Sequence, residues 1–144
     1  MHADAIAQVL DDLKPTKYGW RAMLPAEFAT FFGVNVAIVF STRSLPQRSR
    51  PPEVSEGEKA LAGSILLDLI RVLQEAERNF EIFNIEVPEA MSLVSDPHIS
   101  IYRSEAKESR PNAWELVVGV KGSPDFGFHV EFEGVEYRGI YAGI

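Results

Sequence analysis

Three side chains with chemical potential, His129, Glu131 and Glu133, stand at alternate positions in FGFHVEFEGVEYRGIYAG. A strand would place all three on one face. Glu133-Gly134 reads as a two-residue hairpin loop, with the glycine supplying a positive φ. Phe132 then faces Val135, Val130 faces Tyr137 and Phe128 faces Gly139, which makes the core side. The other side pairs Glu131 with Glu136 and His129 with Arg138. Carboxylates directly opposite each other repel, and Arg138, diagonal to Glu131, relieves that. A three-residue loop would shift the register by one and undo the pairing.

Two carboxylates and an imidazole could hold a divalent metal or serve as general acid and base. Zinc sites favour at least three convergent ligands and a second shell. A polar strand face yields such trios by alternation alone. The plain reading of His129, Glu131, Glu136 and Arg138 is therefore a solvated face. A protein-binding surface comes next, and a metal-binding or hydrolytic centre built on His129, Glu131 and Glu136 last. No catalytic residue, metal ligand or cofactor is assigned. His98 follows Pro97 at a strand start and reads as structural, and His2 is terminal. Gly-x-Ser-x-Gly, the phosphate-binding glycine loops and His-Glu-x-x-His are all absent.

The elements that would position these residues follow from periodicity. Ile6, Val9, Leu10 and Leu13 form one helical stripe, which Pro15 ends. Val34, Val36, Ile38 and Phe40 alternate as a strand with one buried face. Trp20 to Phe28 is either its hairpin partner, with Pro25 at an edge or bulge, or gives way to a short helix at AEFATFF. SLPQRSRPPEV is a loop. Ser55 and Glu58 have the spacing of a capping box, and a long helix is expected from about Glu56 to about Phe83. In HISIYRS, Ile99 and Ile101 point one way and His98, Ser100 and Tyr102 the other. Trp114, Leu116, Val118 and Val120 share one face of the next strand, and Gly122-Ser123-Pro124-Asp125 reads as a turn. Trp20 and Trp114 are both expected near strand starts, partly buried.

The chain of 144 residues reads as a single domain, long enough to bury roughly two thirds of its unfolded surface without a metal or disulfide. It has no cysteine, which excludes a disulfide framework, a thiolate metal site and a cysteine nucleophile. Asp4, Asp11 and Asp12 interrupt any apolar run at the start, so MHADAIAQVLDDLK does not read as a signal peptide. The apolar stretch from Ile65 to Leu73 is broken by Asp68 and Arg71 and falls short of the ~20 residues of a membrane span. A cytoplasmic protein with no membrane partner is expected. The net charge of −7 opposes binding to phosphate backbones, so no nucleic-acid partner is expected. The one basic cluster, Arg43, Arg48 and Arg50, lies among proline and serine and reads as a solvated loop.

The order of parts is FFGVNVAIVFS, a proline-rich loop, VSEGEKALAGSILLDLI, HISIYR and WELVVGVKGSPDFGFHVEFEGVEYRGIYAG. Over roughly residues 18 to 143 it resembles a group of small bacterial domains of uncharacterised function. In that group a tryptophan-led strand and an aspartate–aromatic–glycine turn, here Asp125, Phe126 and Gly127, follow a long central helix. Immunity proteins, which neutralise a toxin made by the same or a rival cell, have been suggested among its members. LPAEFATFFG is similar to the LPxxYxxF segment of the immunity and cell-wall-regulator superfamily related to yeast glucan-synthesis regulators, but lacks the glycine-rich turn expected after it. Neither resemblance supplies catalytic residues.

The expected fold is α+β: an antiparallel sheet of about five strands, one long helix packed on one face, and a short N-terminal helix at an edge. The expected function is non-enzymatic protein binding, in its narrower form an immunity-type inhibitor whose acidity suits a basic protein partner. Alternatives are the small metal-binding or hydrolytic enzyme above, and a structural or regulatory subunit that dimerises through a strand edge. The oligomeric state is left open.

Overall fold

The computed structural model describes residues 1–41, 50–102 and 110–143. Of the basic cluster, Arg43 and Arg48 lie outside the described residues.

Helix α1, Ala3–Asp11, buries Ile6 and Val9 of the stripe read from its spacing, but it ends four residues before Pro15, so Leu13 lies beyond it and Leu10 is only half-buried. Strands β1, Lys14–Pro15, and β2, Gly19–Met23, follow. Pro15 sits on the sheet's edge strand, where a missing N–H removes no inner ladder bond. The segment from Trp20 is thus a strand at its start. It pairs antiparallel with β3, Ala37–Ser41, and Pro25 to Phe28 closes a turn instead of a helix. Gly19 is required here, because a Cβ would collide with the Phe40 carbonyl on β3.

The capping box forms: Glu58 N–H donates to Ser55 Oγ at 3.2 Å and Ser55 N–H to Glu58 Oε1 at 2.9 Å. The expected single long helix is two. Helix α2 spans Glu56–Leu67 and α3 spans Leu69–Glu86. At Asp68 the chain tightens, its N–H donating to the Ile65 carbonyl three residues back at 3.2 Å. Leu66 and Leu69, on either side of the break, are both fully buried. A 3-10 turn at Met91–Leu93 leads to β4, Val94–Tyr102, then β5, Ala113–Val120, β6, Ser123–Glu133, and β7, Glu136–Gly143.

The sheet is the main departure from expectation. It has seven strands among the described residues, in sequence order from β1 to β7, not about five. Nor is it wholly antiparallel, because β3 and β4 pair parallel. The reason is the connection. A helical crossover returns the chain to the end where β3 began, and the next strand must then run the same way. The α+β class holds.

Helices and sheet share one core. Leu61, Ile65, Leu69, Leu73 and Phe80 pack with Ile38, Phe40, Ile99, Trp114, Leu116, Val130 and Phe132. The expected alternation in β4 and β5 is present, with Ile99, Ile101, Trp114, Leu116 and Val118 all inward. Trp20 and Trp114 are more deeply placed than expected, at 4% and 2% exposure. Each indole N–H has an acceptor, the Pro52 carbonyl at 2.9 Å and the Gly134 carbonyl at 2.6 Å. No described helix joins the core from the opposite face of the sheet.

Candidate functional site: the open face of the sheet

Register determines what the open face carries. One row across the sheet runs Met23, Ala37, His98, Val117, His129, Tyr141. The next runs Arg21, Val39, Ser100, Glu115, Glu131, Gly139. Cross-strand neighbours on one face lie close enough for side chains to touch.

The hairpin differs from expectation by one residue in its turn and by a bulge beyond it. Glu133 pairs with Glu136, so the loop is Gly134-Val135, with Gly134 at φ 61°. A register shift between Glu131 and Phe132, with Arg138 the extra residue on β7, then places Gly139 opposite Glu131 and Tyr141 opposite His129. The expected pairs Glu131–Glu136 and His129–Arg138 do not form. Arg138 instead reaches Glu136 at 3.3 Å and Glu133 at 3.7 Å, near the turn. Those pairs are half exposed and contribute little. The neighbouring turn also moved: Val120 pairs with Ser123, leaving Lys121-Gly122 as the loop and Pro124 inside β6.

His129, Glu131 and Glu136 are therefore not brought together. Among the described residues no group of three His, Asp or Glu side chains is placed to hold a metal. Glu131 is half-buried between Glu115 and Gly139. His129 is no solvated strand residue, being 8% exposed. Tyr141 covers it, the two rings parallel within 4° and 4.6 Å apart.

The partner of His129 is Glu115, a residue that sequence reasoning passed over. His129 Nδ1 lies 2.9 Å from Glu115 Oε2. Tyr102 donates to the same oxygen at 3.0 Å, and Tyr141 donates to Oε1 at 2.8 Å. One carboxylate thus ties β4, β5, β6 and β7 together from the open side. Burial pushes the Glu115 carboxyl up, but hydrogen bonds from His129, Tyr141 and Tyr102 outweigh it and hold the group below its ordinary value. An ionised carboxylate only accepts, so Nδ1 of His129 carries the proton. Nε2 of His129 is buried and has no hydrogen-bond partner among the described residues. Partial burial, the bond to Glu115 and the charge of Glu115 push the Tyr141 hydroxyl up, so it stays protonated as a donor.

His98 occupies a second special place. Asp96, at φ 42°, and Pro97 together stand opposite Val118, a bulge in β4. Its carbonyl accepts from His98 Nδ1 at 2.9 Å, while its side chain accepts from Arg21 at 2.7 Å. Burial lowers the His98 pKa, with the bond to the Asp96 carbonyl opposing it. His98 is thus structural in one nitrogen only, and its Nε2 is left with a lone pair.

Compared with family models, curated proteins and solved structures, the chain gives no match. No described helix is long and apolar enough to cross a membrane.

Proposed function

We propose that the chain is a protein-binding domain that docks its partner on the open face of the sheet. The observation behind this reading is the contrast between that face's composition and its lack of a described helical cover. Met23 and Tyr141 stand 53% and 41% exposed there, beside half-buried Val39 and Val117. Methionine and tyrosine are enriched at protein interfaces. The Glu115 network holds Tyr141 in one orientation before any partner arrives, which lowers the ordering cost of binding. Glu131, Glu133 and Glu136, with the overall charge of −7, favour a basic partner. An immunity-type inhibitor of a toxin is the narrower form of this reading, supported by the acidity and the small size.

The test is affinity capture from a lysate of the source organism, with the native chain and Glu131→Lys/Glu136→Lys as parallel baits. One specific partner, absent from the variant bait and released by raised salt, is expected. A partner held equally by both baits and insensitive to salt would count against the proposal.

A specific observation favours a second reading, the dimerising subunit. The outer edge of β7 pairs with no other strand among the described residues, and Gly139–Gly143 carries no charge to blunt it. Light scattering showing only monomer at high concentration would dispose of it.

A further inference from the structure

The two edges of the sheet are built differently. At one edge β1 is only Lys14–Pro15, paired with Arg21 and Trp20 of β2. Proline has no N–H to offer and lysine is charged, and both keep a foreign strand away. At the other edge β7 runs for eight residues, Glu136–Gly143, without a proline. Its first half is protected. Glu136 and Arg138 are charged, and Arg138 is the extra residue where the register with β6 shifts. A bulge bends the strand and turns the edge away from a flat neighbour. Its second half has neither device. Gly139 to Gly143 pair with Glu131 to Gly127 in unbroken register and carry no charge. An edge strand presents a row of unpaired N–H and C=O groups, and here nothing blunts them.

This unprotected half is its own complement. Read in either direction, GIYAG has glycine at its ends, an aliphatic residue next and tyrosine in the middle. Two copies laid antiparallel about a two-fold axis through Tyr141 set Gly139 against Gly143, Ile140 against Ala142 and Tyr141 against itself. A two-fold interface needs such self-complementarity, because every contact occurs twice. The faces also match. Ile140 and Ala142 stand on the helix side, opposite Val130 and Phe128, and Gly139, Tyr141 and Gly143 on the open side. An axis normal to the sheet keeps each face continuous, and it opposes residues whose backbone groups alternate in step. Space is free as well. Tyr141 leans inward, its ring stacked on His129 of β6 and its hydroxyl bonded to Glu115 of β5 at 2.8 Å. The glycines on either side of it carry no side chain. On the helix side Ala142 is exposed and Ile140 half-buried, apolar area that a second copy removes from water. An axis nearer Arg138 would bring the bulge into the ladder.

We propose that a second copy of the chain pairs with β7, Gly139–Gly143 running antiparallel to itself about a two-fold axis through Tyr141. This rests on the dimerising reading above and adds to it the symmetry and the register. Two seven-stranded sheets then join into one, with both sets of helices on one side and both open faces on the other. The two Tyr141 side chains and the Glu115 groups that hold them adjoin across the axis. The surface open to a protein partner is thereby continuous over both copies.

The experiment combines stoichiometry with one distance. The chain has no cysteine, so Glu136→Cys takes a nitroxide label at a single position, an exposed one. Light scattering of the native and labelled chains should show a dimer. Glu136 lies five positions before Tyr141. The two labels are therefore ten positions apart along the paired strands, about 30 Å at ~3.4 Å per residue once the bulge in each copy is allowed for. Pulsed dipolar spectroscopy reads that distance, and each residue by which the axis moves changes it by about 7 Å. Ala142→Lys places a charge in the unprotected half and should leave only monomer. Circular dichroism checks that it folds, and should it unfold, the distance alone decides. A dimer with labels within about 15 Å would overturn the register and leave the dimerising reading standing. A dimer that a folded Ala142→Lys leaves intact, or a native chain that stays monomeric at high concentration, would overturn both.

Discussion

The two faces of the sheet are built on opposite rules. On the helix side, Trp114 stacks on Phe132 at 4.5 Å, and Phe80 meets Phe31 and Phe128 edge-on. That face gains from area removed from water, which is tolerant of detail. On the open side, His129 and Ser100 are buried polar residues, and order there rests on three hydrogen bonds to one carboxylate. Such a network depends on geometry and on charge, and loses much when one member is removed. Apolar packing holds the fold, whereas the polar face displays a fixed set of groups to whatever binds it.

The largest expected effect breaks the helix side. Trp114→Ala should cost about 3–5 kcal/mol, because it removes a fully buried ring and leaves a cavity. Chemical denaturation measures it, and a loss well under 1 kcal/mol would show that the core is not the principal source of stability. Next comes the open face. Glu115→Ala removes the acceptor that Tyr102, His129 and Tyr141 share, and should cost about 1–3 kcal/mol.

The same residue predicts a pH dependence. Its carboxyl titrates lower in the folded chain than its ordinary value of 4.5, so the folded state holds the proton less tightly than the unfolded one. The stabilisation is present above 4.5 and is lost as pH falls below that value, through the folded pKa. Thermal melts of Glu115→Gln across that range should show a weaker acid-side decline than the native chain. An identical decline would assign the acid sensitivity elsewhere.

Two smaller effects sharpen the contrast. Tyr141→Phe keeps the stack on His129 and loses one bond from a partly exposed hydroxyl, so about 0.5 kcal/mol is expected in denaturation. Ile85→Lys, at a position 79% exposed on α3, should change stability by no more than about 0.5 kcal/mol. A larger loss would mean that the outer helix surface also carries structure.

Much of the helix side was legible in the sequence. The stripes of α1 and α2–α3, the Ser55–Glu58 cap and the inward residues of β4 and β5 all follow from period and from local hydrogen-bond chemistry. The break at Asp68 was not, because the apolar stripe continues through it. The open face was legible only in part. Alternation places His129 and Glu131 on it, and His98, Ser100 and Tyr102 on another strand of the same kind. Which residues meet depends on register, and register here turns on three irregularities, at Asp96-Pro97, at Pro124 to Phe126, and between Glu131 and Phe132. The first and last shift a strand by one residue and the middle one by three, none with an apolar signature. Glu115 looked like any outward residue of its strand because its three donors come from β4, β6 and β7. The parallel pairing of β3 with β4 was also hidden, since a helix between two strands permits either direction until the crossover geometry is known.

The most direct test of the central claim uses the captured partner and two charge-matched variants. Glu131→Lys/Glu136→Lys alters the open face, and Glu81→Lys/Glu86→Lys makes the same change in net charge on exposed positions of α3. Equilibrium binding should weaken by about tenfold or more for the first and hold for the second. Equal weakening in both would reduce the effect to net charge, and loss confined to the α3 variant would move the binding surface to the helices.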